Sequence, residues 1–146
     1  MSITYTIISF IVALGVLITF HEFGHYLVAR WNNVKVLRFC IGFGQPIFRK
    51  RWGKDQTEWV IAAIPLGGYV KMLDENEGKV SPEEASRSFN RQSVGRRFAI
   101  VAAGPIANFL LAIVLYWWLF ILGVQGMKPV LGPVEPGSAA AHAQFE

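Results

Sequence analysis

A chain of 146 residues that is 53% hydrophobic, 14% aromatic and only 16% charged is too apolar for an ordinary soluble domain. Its net charge of +4 is concentrated: 13 of the 14 Lys and Arg residues lie between Arg30 and Arg97. They flank apolar blocks rather than sharing a helix face with stacking aromatics, which argues against an RNA-binding surface, and a single cysteine, Cys40, excludes an intrachain disulfide or a multi-thiolate metal site within one chain.

The first apolar block, Ile3–Phe20, runs 18 residues without a charge, long enough to cross most of the roughly 30 Å of hydrocarbon at about 1.5 Å per residue. The leader MSITY carries no Lys or Arg, the apolar run is longer than the core of a signal peptide and no small-residue cleavage site follows it, so a transmembrane helix over about residues 3–29 is expected instead. Its last turns hold His21, Glu22 and His25. His21 precedes Arg30 by nine residues and therefore lies on the order of 13 Å inside the basic boundary, where an ionisable group needs a partner, a cavity or a metal.

From Arg38 to Met72 glycines alternate with β-formers. Ile47–Arg51 and Glu58–Ile64 are expected as two strands around the turn Gly53-Lys54-Asp55, with Pro65 ending the second and Tyr69–Met72 adding a third. The run WVIAAI, apolar on both faces, suits a strand buried on both sides or one dipping into lipid beside a helix. Ser81-Pro82-Glu83-Glu84 has the cap, first-turn proline and acidic residue of a helix start, so a short surface helix to about Phe89 is expected.

The second apolar block, Phe98–Met127, runs 30 residues without a charge and gives a second transmembrane helix over about residues 97–124. Ala102–Asn108 is rich in small residues that would let another helix approach closely, and Pro105 is expected to kink it. Tyr116, Trp117 and Trp118 lie towards the far end, as in an aromatic belt. By the positive-inside rule the basic loop, residues 30–97, is cytoplasmic and both termini are extracytoplasmic. Past Met127 the chain turns small and polar, and His142 in that tail is read as solvated. The fold class is thus a mainly α membrane protein: two transmembrane helices joined by a loop that carries short β-strands.

HEFGH at 21–25 is an HExxH motif, and on a helix its spacing puts both imidazoles on one face with Glu22 beside them. With only three histidines in the chain, coincidence explains it poorly. His21 and His25 are the expected Zn2+ ligands and Glu22 the general base that takes a proton from water and passes it to a departing amine, which makes peptide hydrolysis the expected reaction.

Together with GFG, IPLGGYVKM and FNRQSVGRRFAIVAAGPIAN, this motif makes the chain resemble, over essentially its whole length, the site-2 protease family of intramembrane zinc metalloproteases, closest to the bacterial regulator-of-sigma-E branch. The resemblance implies a membrane protease core over residues 1–127, with a membrane-associated β-hairpin at about residues 42–72, and the start of a PDZ domain over residues 128–146. It implies one zinc per full-length chain, a bacterial inner-membrane location, and single-span membrane substrates such as an anti-sigma factor, with signal-peptide remnants as further substrates in regulated intramembrane proteolysis. The hairpin edge that holds substrate extended in the family maps onto the second strand, with Trp59, Val60 and Ile61 as candidate substrate contacts. Asn108 of the G-P-x-x-N pattern either hydrogen-bonds substrate or ties two helices together. The family's third ligand, an aspartate in an L-D-G motif on a later helix, has no counterpart here, since Leu73-Asp74-Glu75 lacks the glycine and lies in the polar loop. The chain therefore reads as the N-terminal piece of a longer protease, inactive by itself. The rival expectation from another class is a non-catalytic membrane adaptor that binds substrate helices.

Overall fold

The computed structural model describes residues 2–123. The expected PDZ start at 128–146 and the last residue of the expected second span lie outside the described residues. The elements run α1 (Ile3–Trp31), β1 (Val36–Trp52), β2 (Thr57–Met72), one 3₁₀ turn (Ala85–Arg87) and α2 (Val94–Leu122). The chain divides into two units, residues 1–115 and 116–146; of the second, the structure describes the last turns of α2.

Both long helices are where the apolar blocks place them, and each is long and apolar enough to cross a membrane. The Ser2 side chain caps α1 by accepting from the Tyr5 backbone N–H, and Arg30 in its last turn complements the negative end of the helix dipole. Ile7, Phe10, Val12 and Leu17 on α1, and Phe109 and Ile113 on α2, are exposed, as lipid-facing side chains are. At Gly24 the helices meet closely: an added Cβ would collide with the Ala103 carbonyl and the Ala107 methyl. The small residues of 102–108 thus serve as expected, as a site of close helix approach. Pro105 sits within α2.

The hairpin departs from expectation in extent and in path. β1 begins at Val36, well before Ile47, and β2 continues through Pro65 to include the segment expected as a separate third strand. Trp52 pairs with Thr57 around the predicted turn, and the pairs continue through Arg49 and Val60 to Pro46 and Ala62. Arg38–Ile41 then pair on one side with Lys71–Gly68 in descending order and on the other with Glu58–Ile61 in ascending order. Each strand is folded over on itself, and the rows lie in the order 46–52, 57–62, 38–41, 68–72. Gly42 (φ 88°) and Gly44 (φ 86°) bend β1, and Gly67 (φ 112°) bends β2, in conformations that residues with a Cβ rarely adopt. Pro65 is tolerated because it falls in the short stretch where β2 changes partners and has no pairing of its own.

The expected surface helix after Ser81 is reduced to the 3₁₀ turn Ala85–Arg87. The Ser81 carbonyl accepts from both Glu84 and Ala85, so a turn does start at the predicted cap. It stops because the backbone beyond it is used elsewhere: the Arg87 carbonyl accepts from Lys35 N–H, and Phe89 N–H donates to Leu73. These bonds tie the loop to the start of β1 and the end of β2. Ala29, Val34, Val36 and Ile100 form a small core beneath them, with Tyr26, Val70, Met72 and Phe89 packed around it. At the hairpin turn, Asp55 is held by both guanidinium nitrogens of Arg87 at 2.8 Å and by Arg30 from the end of α1.

Candidate metal centre

His21 and His25 stand one turn apart on α1 with ring centroids 4.8 Å apart and planes at 79°. Each ring turns its Nδ1 to a different residue of α2. His25 Nδ1 lies 2.7 Å from the Ile100 carbonyl oxygen, which has only lone pairs to offer, so Nδ1 is the donor, and in the neutral ring Nε2 is left bare. His21 Nδ1 lies 3.4 Å from the Asn108 carboxamide. The Nε2 atoms of both rings converge beside Gly104, where an added Cβ would overlap them both. Two imidazoles with Nδ1 engaged and Nε2 gathered in one gap are the donor set that zinc takes from an HExxH helix, so the residues present fit the metal.

Glu22 turns towards the sheet. Its Cγ packs over Gly68, whose missing side chain makes room for it. Glu22 and His25 both line a cleft of about 450 Å³ whose other walls include Gly68–Met72, Asp74, Glu77, Phe89 and Ile100. Asp74 of the L-D-E sequence therefore borders the same cleft, yet among the described residues no three His, Cys, Asp or Glu side chains come together as a metal site.

Trp59, Val60 and Ile61 do not lie on a free edge. Each is paired on one flank with Phe39, Cys40 or Ile41 and on the other with Lys50, Arg49 or Phe48. Trp59 is instead a packing residue, its ring 4.7 Å from Phe39 and 5.0 Å from Tyr26 of α1. The row that borders the Glu22 cleft and is paired on one side only among the described residues is Gly68–Lys71. The glycine pair after Pro65 marked a bend there, but nothing local marked which row would be outermost. Ile100, acting through its main-chain oxygen, carries no signature in sequence at all.

Residues 9–143 match Peptidase family M50, the site-2 protease family, and the chain belongs to that family. It is 56% identical over 147 residues to the regulator of sigma-E protease RseP of Salmonella typhimurium, covering 99% of this chain and 32% of that protein. It is 58% identical over 145 residues to RseP of Escherichia coli K12 and equally to the protease RseP of Yersinia pestis, with the same coverage of 99% and 32%. The chain thus spans about a third of the length of the curated relatives it matches.

Proposed function

We propose that this chain forms the zinc-binding part of an intramembrane endopeptidase that cuts single-span membrane substrates. The observation that carries this reading is the pair of Nε2 atoms gathered beside Gly104, with Glu22 opening onto a cleft walled by a strand edge. His21 and His25 hold the metal, and the remaining protein ligand comes from outside the described residues, which hold no third group in reach. When bound, zinc supplies Lewis acidity to a carbonyl oxygen and makes water acidic near neutral pH. Glu22 accepts the proton of the attacking water and delivers it to the leaving amine nitrogen. The Ile100 carbonyl keeps the proton of His25 on Nδ1.

A substrate helix must unwind before its peptide bonds can be reached, and an extended segment in hydrocarbon needs partners for its backbone. The one-sided row Gly68–Lys71 offers them, so substrate adds to the sheet there rather than at Trp59–Ile61. The basic loop 30–97 faces the cytoplasm of a bacterial cell, and the bilayer is the inner membrane. The relatives' names carry a regulator of sigma E, and for this chain the corresponding substrate is a membrane-bound anti-sigma factor, with signal-peptide remnants as further candidates.

The test uses the longer protein of which this chain is a part. Glu22→Gln should keep zinc and lower cleavage of a single-span substrate by about 10²–10⁴-fold, the worth of a positioned general base. His21→Ala should lose zinc as well. Full turnover by Glu22→Gln would refute the assignment, and a wild-type protein that holds no zinc would favour a non-catalytic adaptor.

A further inference from the structure

On α2, Ile100, Gly104 and Asn108 recur at intervals of four residues and so share the face turned to the histidines. The Ile100 carbonyl holds His25 Nδ1, and Gly104 leaves the gap for both Nε2 atoms. Asn108 stands opposite His21 Nδ1 with its Nδ2 at 3.4 Å, while its Oδ1 is buried without a hydrogen-bond partner among the described residues. That orientation has a chemical consequence. An amide N–H that donates to Nδ1 requires His21 to carry its own proton on Nε2, the atom that must be bare to meet a metal. Carboxamide oxygen and nitrogen are nearly equal in shape, so the network decides between them. A half-turn of the carboxamide sets Oδ1 opposite an Nδ1–H. Either orientation leaves one amide atom without a partner, but only the turned one leaves Nε2 of His21 free.

We infer that Asn108 is a positioning residue for the metal, its carboxamide oxygen accepting the Nδ1–H of His21 as the Ile100 carbonyl accepts that of His25. The two partners differ in kind. The one on His25 is main chain and rides with the helix, whereas the one on His21 is a side chain and can be removed. With water scarce at this depth, a ring deprived of its acceptor has few substitutes, so orientation and tautomer are lost together. The inference deepens the zinc reading above and rests on it.

The experiment compares zinc affinity of the full-length wild-type protein with Asn108→Leu and Asn108→Asp, by competition with a chromophoric chelator. Leu matches the size of Asn but offers no acceptor, and a loss of about 10-fold or more is expected, the usual worth of such a partner. Asp keeps the acceptor and should bind zinc at least as tightly as wild type. Cobalt(II) in place of zinc gives a second readout: the Asp variant should shift the visible bands by raising the basicity of His21, which a role in helix packing alone would not do. Wild-type affinity in the Leu variant, or equal losses in both, would overturn the inference. Should Leu fail to fold, a tenfold loss in the Asp variant would overturn it alone. A wild-type protein without zinc would sink the metal reading itself, which keeps the two failures apart.

Discussion

The two ends of the half of α1 that carries chemistry are held by opposite means. Around Gly24 the helix meets α2 through backbone and methyl groups, with the histidines fixed by one carbonyl and one carboxamide. Two turns further on, at Arg30, the same helix is held by charge: Arg30 and Arg87 close on Asp55, and past the end of the helix Lys35 pairs with Glu84, and Arg38 and Arg49 with Glu58. The contrast follows the solvent. In hydrocarbon no hydrophobic force drives helices together, so close packing and hydrogen bonds must do it, whereas at the polar boundary charges are affordable and can be paired. The proposed metal site lies in the first region, and the second ties the hairpin turn to the end of α1.

The sharpest break of this comparison is Gly104→Val. It puts a branched side chain where the two Nε2 atoms converge, so zinc and cleavage should both be lost while the ion-paired end stays intact; zinc per chain in the purified full-length protein is the measurement. Next in size is the strand edge. Proline at Val70 or Lys71 removes one main-chain donor, and whichever of the two faces outward should lose most cleavage with zinc retained. Undiminished cleavage by both variants would return the substrate to another surface.

Asp55→Asn tests the charged end. The Asp55 side chain is 5% exposed, but its partners are about a third exposed, so the loss should fall below that of a fully buried pair, about 1–3 kcal/mol in thermal or denaturant unfolding. Arg87 above all holds the Asp55 carboxyl below its ordinary value. A depressed carboxyl contributes stability that is fully present above the unfolded value of about 3.9 and is lost as pH falls through the lower folded value. Asp55 should therefore add nothing to any pH dependence between about pH 5 and 8, and the gap between wild type and Asp55→Asn should narrow only in acid. The smallest effect belongs to the exposed pair Lys71–Glu77, 3.5 Å apart: Glu77→Gln should leave the melting temperature unchanged within error.

What the sequence disclosed divides along similar lines. The helices, the HExxH face, the turn after Trp52 and the close approach near Gly104 rest on periodicity or on residues within a few positions of each other, and all are present. The path of the sheet was hidden, because Gly42, Gly44 and Gly67 announce bends but not which row folds against which. Hence Trp59–Ile61 was expected at an edge and lies between two neighbours. The helix expected after Ser81 is cut short for a related reason: a first turn closes on the Ser81 carbonyl without a side-chain cap, and Lys35 and Leu73, distant in sequence, claim the backbone groups it needed to continue. The partner of His25 is a main-chain oxygen, which any residue at position 100 would supply.

The contact at Gly24 also has a mechanical side. A pair of helices that touch backbone to methyl at one place has a pivot there, with no long side chains to act as a cushion. When a bilayer thickens or thins, helices adjust mainly by tilting, and rotation about a pivot moves each group in proportion to its distance from it. His21 and His25 flank Gly24 within one turn, so they sit near the stationary point, while the far end of α1 at Ile3 lies on the order of 30 Å away and sweeps the widest arc. Membranes of differing thickness would then reorient the outer helix and leave the spacing of the two imidazoles almost untouched.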